Sequence, residues 1–185
     1  MTDLIIREAL ASDVAAVTAI YRPAVLAGTA TFEIDPPDET EMRARFHAIT
    51  DAGHPYLVAE QAGAVLGYAY ASSFRTRPAY RFTVEDSIYL AAPAQRRGVG
   101  RMLLYELVRR CEAQGFRQMV AVIGDSANTG SIALHSALGF AMCGTLPATG
   151  FKLGRWVDTV LMQRPLGDGA GTTPTPVPLP LAGMG

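Results

Sequence analysis

Two adjacent carboxylates in 83-TVEDS-87 are the residues of this chain best suited to proton transfer. Glutamate and aspartate act as general bases when they lie within reach of the proton that they remove. The flanking residues predict a strand over 82–91. Alternation along that strand puts Glu85 and Ser87 on one face and Asp86 on the other. Glu85 is our candidate general base and Asp86 is the competing candidate; a solvated edge position is the alternative role for Glu85.

The segment 95-QRRGVG-100 opens an amphipathic helix directly after this strand. A helix N-terminus leaves backbone N–H groups unpaired, and its dipole favours negative charge. Gly98 and Gly100 have no Cβ that would hold a ligand away from those groups, and the two arginines before Gly98 add positive charge. These features predict a pyrophosphate-binding loop. The alternative is a helix start that uses glycine only for packing.

Two common phosphate-binding motifs do not fit this loop. A P-loop requires Lys and then Ser or Thr after its last glycine, but Arg101 and Met102 follow Gly100. A dinucleotide-binding loop requires a third glycine and opens the first helix of its domain. Here Leu103 occupies that place, and the loop lies late in the chain. A different class of phosphate-binding loop is required.

Composition limits the partners of the chain. It has 185 residues, 49% of them hydrophobic, which suits one domain with a substantial core. Its formal net charge is −1, so bulk electrostatics give no reason to expect nucleic acid or an anionic membrane as partner. We expect no membrane span, because no run of about 18 apolar residues occurs. We expect a cytoplasmic location, because the N-terminus lacks the pattern of a secretory signal.

The cysteines and histidines do not predict a metal site. Cys111 and Cys143 occur in no metal or redox spacing, and we interpret them as free thiols. His47 and His54 have no neighbour at metal-ligand spacing, so we expect no metal. Of the 16 basic residues only Lys152 is lysine, which makes any single arginine a weaker sign of a special site than usual.

The hydrophobic pattern predicts a layered α/β domain over 1–165, in which helices cover both faces of a mixed sheet. Ser12 is the predicted N-cap of the first helix, and Ala62–Gly63 is the predicted turn of a hairpin. Residues 166–185 are rich in Pro and Gly and predict a disordered tail. Strands are predicted at 3–7, on both sides of the turn within 56–72, and at 82–91, 118–124, 140–153 and 156–163; helices are predicted at 13–26, 37–52, 98–114 and 128–138.

The loop and the order of elements resemble the GNAT superfamily of acetyl-CoA-dependent N-acetyltransferases, whose loop reads Q/R-x-x-G-x-G/A. The resemblance implies a GNAT acyl-CoA acyltransferase fold, with a mixed, mostly antiparallel sheet whose fourth and fifth strands splay apart between flanking helices. Blocks across residues 3–164 resemble, more specifically, the phosphinothricin and methionine sulfone (or sulfoximine) acetyltransferase family: 57-LVAE-60, 67-GYAYA-71, 79-AYRFTVEDSIYL-90, 119-MVAVIG-124, 134-LHSALGF-140 and 150-GFKLGRWVDTVLMQ-163.

This resemblance implies an enzyme that moves an acetyl group from acetyl-CoA to the α-amine of a small amino-acid analogue, as a detoxification reaction. Glu85 would deprotonate the amine, directly or through a water. His135 occupies the helix position of a candidate acid for the leaving thiolate; contact with CoA and capping of a cavity are its alternative roles. The implied acetyl-CoA contacts are Ile88, Tyr89, Leu90, Arg96, Arg97, Gly98, Val99, Gly100, Arg101 and Asn128.

Several of these residues have a simpler structural interpretation. Asn128 also suits an ordinary N-cap. Arg75 and Arg77 are implied to hold the substrate carboxylate, or its tetrahedral oxygens, as bidentate donors, but exposed loop arginines are normally just solvated. The other implied substrate contacts are Phe32, Glu85, Asp86 and Ser87; Phe32 fits a core position equally well, and the same two interpretations apply to Phe74, Tyr80, Phe82 and Trp156.

The resemblance implies a small amino acid and a second copy of the chain, in a homodimer, as partners. Three rival functions stay open: acetylation of a protein N-terminus, a polyamine or an aminoglycoside; acyl-CoA binding without turnover; and an unrelated phosphate-binding α/β module that binds a nucleotide and not CoA. The arginines within 72–81 disfavour a cationic polyamine or aminoglycoside. The presence of Glu85 disfavours a module without turnover.

Overall fold

A computed structural model describes residues 3–175. That part of the chain forms four α-helices and seven strands, with three short 3₁₀ turns between them. The helices are α1 (Val14–Ala27), α2 (Glu39–Asp51), α3 (Val99–Ala113) and α4 (Thr129–Ala137). The strands are β1 (Ile5–Glu8), β2 (Tyr56–Gln61), β3 (Ala64–Ser73), β4 (Thr83–Leu90), β5 (Gln118–Gly124), β6 (Ala141–Lys152) and β7 (Arg155–Pro165).

The strands form one mixed sheet in the order β1-β2-β3-β4-β5-β7-β6. β4 and β5 pair in parallel, and the other neighbours pair antiparallel. The β2–β3 hairpin turns at Ala62 and Gly63, which both have positive φ, at 53° and 78°. Two successive residues of this kind suit a turn that follows the twist of the strands. The predicted mixed, mostly antiparallel sheet is confirmed.

The parallel ladder between β4 and β5 is short. It runs from Thr83↔Gln118 to Asp86↔Ala121, whereas β4 continues to Leu90 and β5 to Gly124. On its other edge, β4 pairs with β3 from Ser73↔Val84 to Gly67↔Leu90, so this ladder continues to the end of β4. The two central strands therefore separate beyond Asp86, as the predicted splay requires.

Alternation along the strands divides the core between the two faces of the sheet. Leu57 and Ala69 point toward α3, whereas their neighbours Val58 and Tyr68 point toward α1 and α2. The α3 face carries the larger cluster, in which Leu103, Leu104 and Leu107 are fully buried. Helices thus cover both faces, because each face of the sheet presents its own apolar row.

Two helix starts differ from prediction. Ser12 lies within a 3₁₀ turn, and Asp13 is the residue before α1, so the prediction of Ser12 as N-cap was wrong. The Asp13 carboxylate accepts from the backbone N–H of Leu10 at 2.7 Å and from Arg7, and these charge-assisted bonds fix the turn. α2 begins after Pro37, because Asp38 caps it by accepting the N–H of Glu41 at 2.8 Å.

The chain stays packed on the domain just beyond β7. Leu166 is fully buried, and its N–H donates to the carbonyl of Arg117 at 3.0 Å. The residues 176–185 of the predicted tail lie outside the described residues. No helix within 3–175 is both long and apolar enough to cross a membrane.

Candidate active site

Glu85 lies half-buried on the face of β4 that looks toward α1 and α2. Burial raises the pKa of its carboxyl, the positive charge of Arg75 lowers it, and the negative charge of Asp86 raises it again; the net shift is upward. Ser87 shares this face, opposite Tyr70 in the β3–β4 ladder, and the Tyr70 hydroxyl bonds to it. The structure thus places Glu85 and Ser87 on one face of β4, and the charge of Arg75 is near enough to act on Glu85.

Asp86 points to the opposite face of β4 and is paired with a histidine. Its Oδ2 lies 3.0 Å from Nε2 of His135 on α4, and both side chains are buried. The other ring nitrogen, Nδ1, lies 2.7 Å from the backbone carbonyl oxygen of Ser131. Burial lowers the pKa of His135, but the hydrogen bond to Asp86 and its charge outweigh that effect, so the pKa is raised. Asp86 is therefore separated from the face that carries Glu85 and Ser87.

A cluster of tyrosines beside Glu85 was missed by the sequence analysis. Tyr56, Tyr68, Tyr70 and Tyr89 stack on one another under α1 and α2, with ring centroids 5.0 to 6.3 Å apart, and Tyr21 packs edge-on against Tyr89 at 4.8 Å. Burial raises the pKa of Tyr21 to about 12, which keeps that hydroxyl protonated at neutral pH. The period-two spacing in 67-GYAYA-71 was the available signal.

The loop between β3 and β4 carries the two predicted substrate arginines. Both are exposed. Arg75 stacks over the ring of Phe74, 4.3 Å from its centroid, and donates to the Phe74 carbonyl at 2.9 Å. Arg77 precedes the 3₁₀ turn that begins at Pro78. The charge of Arg75 acts on Glu85, whereas the position of Arg77 only places it in the same loop.

The predicted pyrophosphate loop opens α3 as expected. Gly98 is the N-cap, with a left-handed φ of 83°, and has no side chain to accept the first N–H groups of the helix. Arg96 also has a positive φ, of 58°. A Cβ on Gly100 would lie 3.2 Å from Leu90 and 3.4 Å from Leu134, so this glycine lets α3 approach the end of β4 and α4. The start of α3 therefore lies close to the end of β4.

The remaining predicted acetyl-CoA contacts lie at the end of β4 and at the start of α4. The side chains of Ile88 and Leu90 are partly buried in the cluster under α3. The side chain of Tyr89 packs on the opposite face of the sheet, with the tyrosines under α1 and α2 (the tyrosine face). A ligand at these positions would therefore bind the backbone and not the side chains. Asn128 is the N-cap of α4, because its side-chain oxygen accepts the N–H of Ser131 at 3.2 Å. Its predicted contact with CoA stays a prediction.

Phe32 lies in the α1–α2 loop, which packs onto the ends of β5 and β6. A Cβ on Gly150 would lie 3.1 Å from the Phe32 ring, and a Cβ on Gly124 would lie 2.2 Å from the carbonyl oxygen of Thr29. Thr29 also donates to Asp125 at 2.7 Å. The Phe32 ring keeps 39% of its surface exposed, so it is available to a ligand.

Comparison with known proteins places this geometry in a family. The model of the acetyltransferase (GNAT) family matches residues 16–140. A phosphinothricin N-acetyltransferase of Alcaligenes faecalis is 58% identical over 162 residues, covering 88% of this chain and 82% of the relative. An L-methionine sulfoximine/L-methionine sulfone acetyltransferase of Pseudomonas paraeruginosa is 42% identical over 159 residues, covering 85% of this chain and 92% of the relative.

A solved structure agrees over the whole fold. A GNAT superfamily phosphinothricin acetyltransferase from Sinorhizobium meliloti, crystallised in complex with AcCoA, superposes with a TM-score of 0.93 at 57% identity, covering 98% of each chain. The fold and site described above define a GNAT-type acetyltransferase. The chain belongs to the acetyltransferase (GNAT) family, and its relatives named here acetylate phosphinothricin or methionine sulfoximine and sulfone.

Proposed function

We propose that this protein transfers the acetyl group of acetyl-CoA to the α-amine of a small amino-acid analogue: phosphinothricin, methionine sulfone or methionine sulfoximine. The observation that carries this proposal is Glu85, a half-buried carboxylate with a raised pKa beside the cationic Arg75. A base next to a guanidinium suits a zwitterionic substrate, whose ammonium must lose a proton while its carboxylate is held.

Glu85 takes one proton from the substrate ammonium, directly or through one water. An α-amino group titrates near pH 8 in peptides, so most of the substrate is protonated at neutral pH and a base is needed. Burial helps here, because it raises the pKa of the Glu85 carboxyl and so brings it closer to the pKa of the ammonium that it deprotonates. The freed nitrogen attacks the thioester carbonyl, the C–S bond breaks, and the departing thiolate takes up the second proton, which the nitrogen loses as it becomes an amide.

The opening between β4 and β5 is the proposed place for the acetyl-CoA arm. Beyond Asp86 the ladder to β5 has ended, so the backbone of Ile88 to Leu90 can pair with an extended ligand as an added strand. The amides at Gly98–Arg101 and the guanidiniums of Arg96 and Arg97 then meet the pyrophosphate. A backbone N–H of β4 can also stabilise the oxyanion.

We further propose a cytoplasmic homodimer with a detoxifying or resistance role. Apolar side chains are exposed together on the β6–β7 hairpin, where Phe151 and Trp156 stand opposite each other with centroids 5.4 Å apart. Large exposed apolar groups of this kind mark association surfaces. Light scattering behind size exclusion tests this directly: a mass of twice 19.7 kDa is expected.

Release of free CoA thiol from acetyl-CoA tests the activity. The amines are phosphinothricin, methionine sulfone, methionine sulfoximine, methionine, spermidine, an aminoglycoside and an N-terminal peptide. Turnover confined to the three tetrahedral analogues is the expected result. Turnover only on the peptide or on a polyamine would keep the acetyltransferase chemistry and remove the proposed substrate. If no amine leads to release of CoA thiol although acetyl-CoA binds, a module that binds acyl-CoA without turnover is favoured.

A further inference from the structure

The contact between Asp86 and His135 sits where the two central strands part. Asp86↔Ala121 is the last pair of the β4–β5 ladder. α4 follows β5 in the chain and carries His135, whose Nε2 lies 3.0 Å from the Asp86 carboxylate. The contact thus joins the last paired residue of β4 to the helix that follows β5.

Both ring nitrogens of His135 face acceptors. Nδ1 lies 2.7 Å from the Ser131 carbonyl oxygen, and Nε2 faces the Asp86 carboxylate. A neutral imidazole has one N–H and satisfies only one of these two acceptors, whereas an imidazolium satisfies both. The geometry thus favours the imidazolium, which forms a buried ion pair with the Asp86 carboxylate. His135 is 2% exposed, so both of its ring nitrogens are directed at groups of the protein.

Stability alone does not explain this pair. Replacing a buried ion pair by apolar residues of similar volume is often neutral or stabilising. Here the Asp86 carboxylate also leaves Oδ1 buried without a hydrogen-bond partner within the described residues, which adds a cost. The groups around the pair are the Cys111 thiol from α3, whose pKa is raised by burial and by the charge of Asp86, the edge-packed ring of Phe140, the Ser131 hydroxyl, 3.4 Å from Nδ1, and Glu85, whose pKa the charge of Asp86 also raises. None of these is a second cation.

We propose that Asp86 and His135 form a positioning pair, which fixes α4 against β4 and so sets the width of the opening that receives the acetyl-CoA arm. Apolar contacts slide along one another, whereas a charge-assisted hydrogen bond fixes direction and distance. A Cβ on Gly100, at the start of α3, would lie 3.2 Å from Leu90 and 3.4 Å from Leu134, so this helix start packs close to β4 and α4 and a shift of α4 reaches it as well. This inference rests on the proposed use of acetyl-CoA.

Calorimetric titration of acetyl-CoA, with no amine present, tests the pair. Asp86→Asn keeps the shape and removes the charge, and we expect about tenfold weaker binding, because small displacements in a positioned site are costly. The double variant Asp86→Leu/His135→Met replaces the pair by apolar side chains and should keep a melting temperature near that of the parent protein. The double variant should nevertheless bind acetyl-CoA as weakly as Asp86→Asn does. Its kcat, measured at saturating acetyl-CoA, should fall by a much smaller factor than its affinity for acetyl-CoA.

His54→Gln is the matched control. His54 is also buried, and its hydrogen bond of 3.2 Å to Ser73 lies away from the point where β4 and β5 separate. It should lower the melting temperature and leave acetyl-CoA affinity within about twofold, since it positions nothing in the site. A folded double variant with parental affinity would overturn the inference, as would an equal loss in His54→Gln. Parent protein that does not bind acetyl-CoA at all would instead overturn the proposed function.

Discussion

The Nζ of Lys152, on β6, donates a hydrogen bond of 2.7 Å to the backbone carbonyl of Thr31 in the α1–α2 loop. Lys152 is the only lysine of the chain and is 3% exposed. Burial lowers its pKa, and the nearby negative charge of Glu33 acts against that. The Thr31 side chain in turn bonds the Tyr21 hydroxyl at 2.8 Å. β6 therefore holds the loop that carries Phe32 next to the tyrosine face.

Gly150→Ala tests whether this loop shapes the amine site. The new Cβ would lie 3.1 Å from the Phe32 ring, so the ring must move. We expect KM for the amine to rise about threefold to tenfold, in line with small misplacements in a binding site, with acetyl-CoA affinity unchanged. Steady-state kinetics with each substrate varied in turn provide the measurement.

Gly144→Ala is the control for that substitution. Gly144 lies on the same strand, but a Cβ there meets no atom within 4 Å. Its kinetic constants should equal those of the parent protein. Equal rises in KM for both variants would show that the effect comes from any change in β6 and not from displacement of the Phe32 ring.

Glu85→Gln removes the proposed base and keeps the shape of the side chain. Loss of a general base lowers kcat by about 10²- to 10⁴-fold. Acetyl-CoA binding should be nearly unchanged, because Glu85 and the pyrophosphate loop are held by different elements. Rapid-quench turnover and calorimetry measure the two effects separately, and loss of acetyl-CoA binding would count against the assignment of Glu85 as base.

Arg75→Gln should raise KM for the amine and shift the pH profile upward. The charge of Arg75 lowers the pKa of Glu85 against the effect of burial, so its removal leaves the carboxyl with a still higher pKa. The acid limb of kcat/KM should therefore move to higher pH. Arg81→Gln is the control, since Arg81 is exposed in the same loop and stacks on Phe82 at 4.5 Å. An equal shift in both variants would contradict a specific role for Arg75.

Local patterns predicted much of the fold and the glycine-rich start of α3. Alternation separated Glu85 from Asp86, and the glycines of 95-QRRGVG-100 marked the start of α3, because both signals act between near neighbours in the chain. The turn at Ala62–Gly63 was also predictable, because Gly63 tolerates the positive φ that a tight hairpin turn requires.

Contacts between distant segments were not predictable from a single sequence. Lys152 and Thr31 are 121 residues apart, and nothing local to either residue indicates the other. The pairing of Asp86 with His135 spans 49 residues and depends on where α4 lands beside β4. The error at Ser12 has a different cause, because Asp13 competes for the same turn with a stronger acceptor and an arginine partner.

We expect His135→Asn to lower the free energy of unfolding by an amount that depends on pH. The pKa of His135 is raised in the folded protein, so its contribution is fully present below the unfolded value of about 6.5 and is lost as pH rises through the folded value. The difference in free energy of unfolding between the parent protein and the variant should thus be larger at pH 6 than at pH 9, measured by urea titration. His47→Asn, at an exposed site on α2, should show no such difference. An equal difference at both pH values would mean that the histidine is neutral and would contradict the ion pair with Asp86.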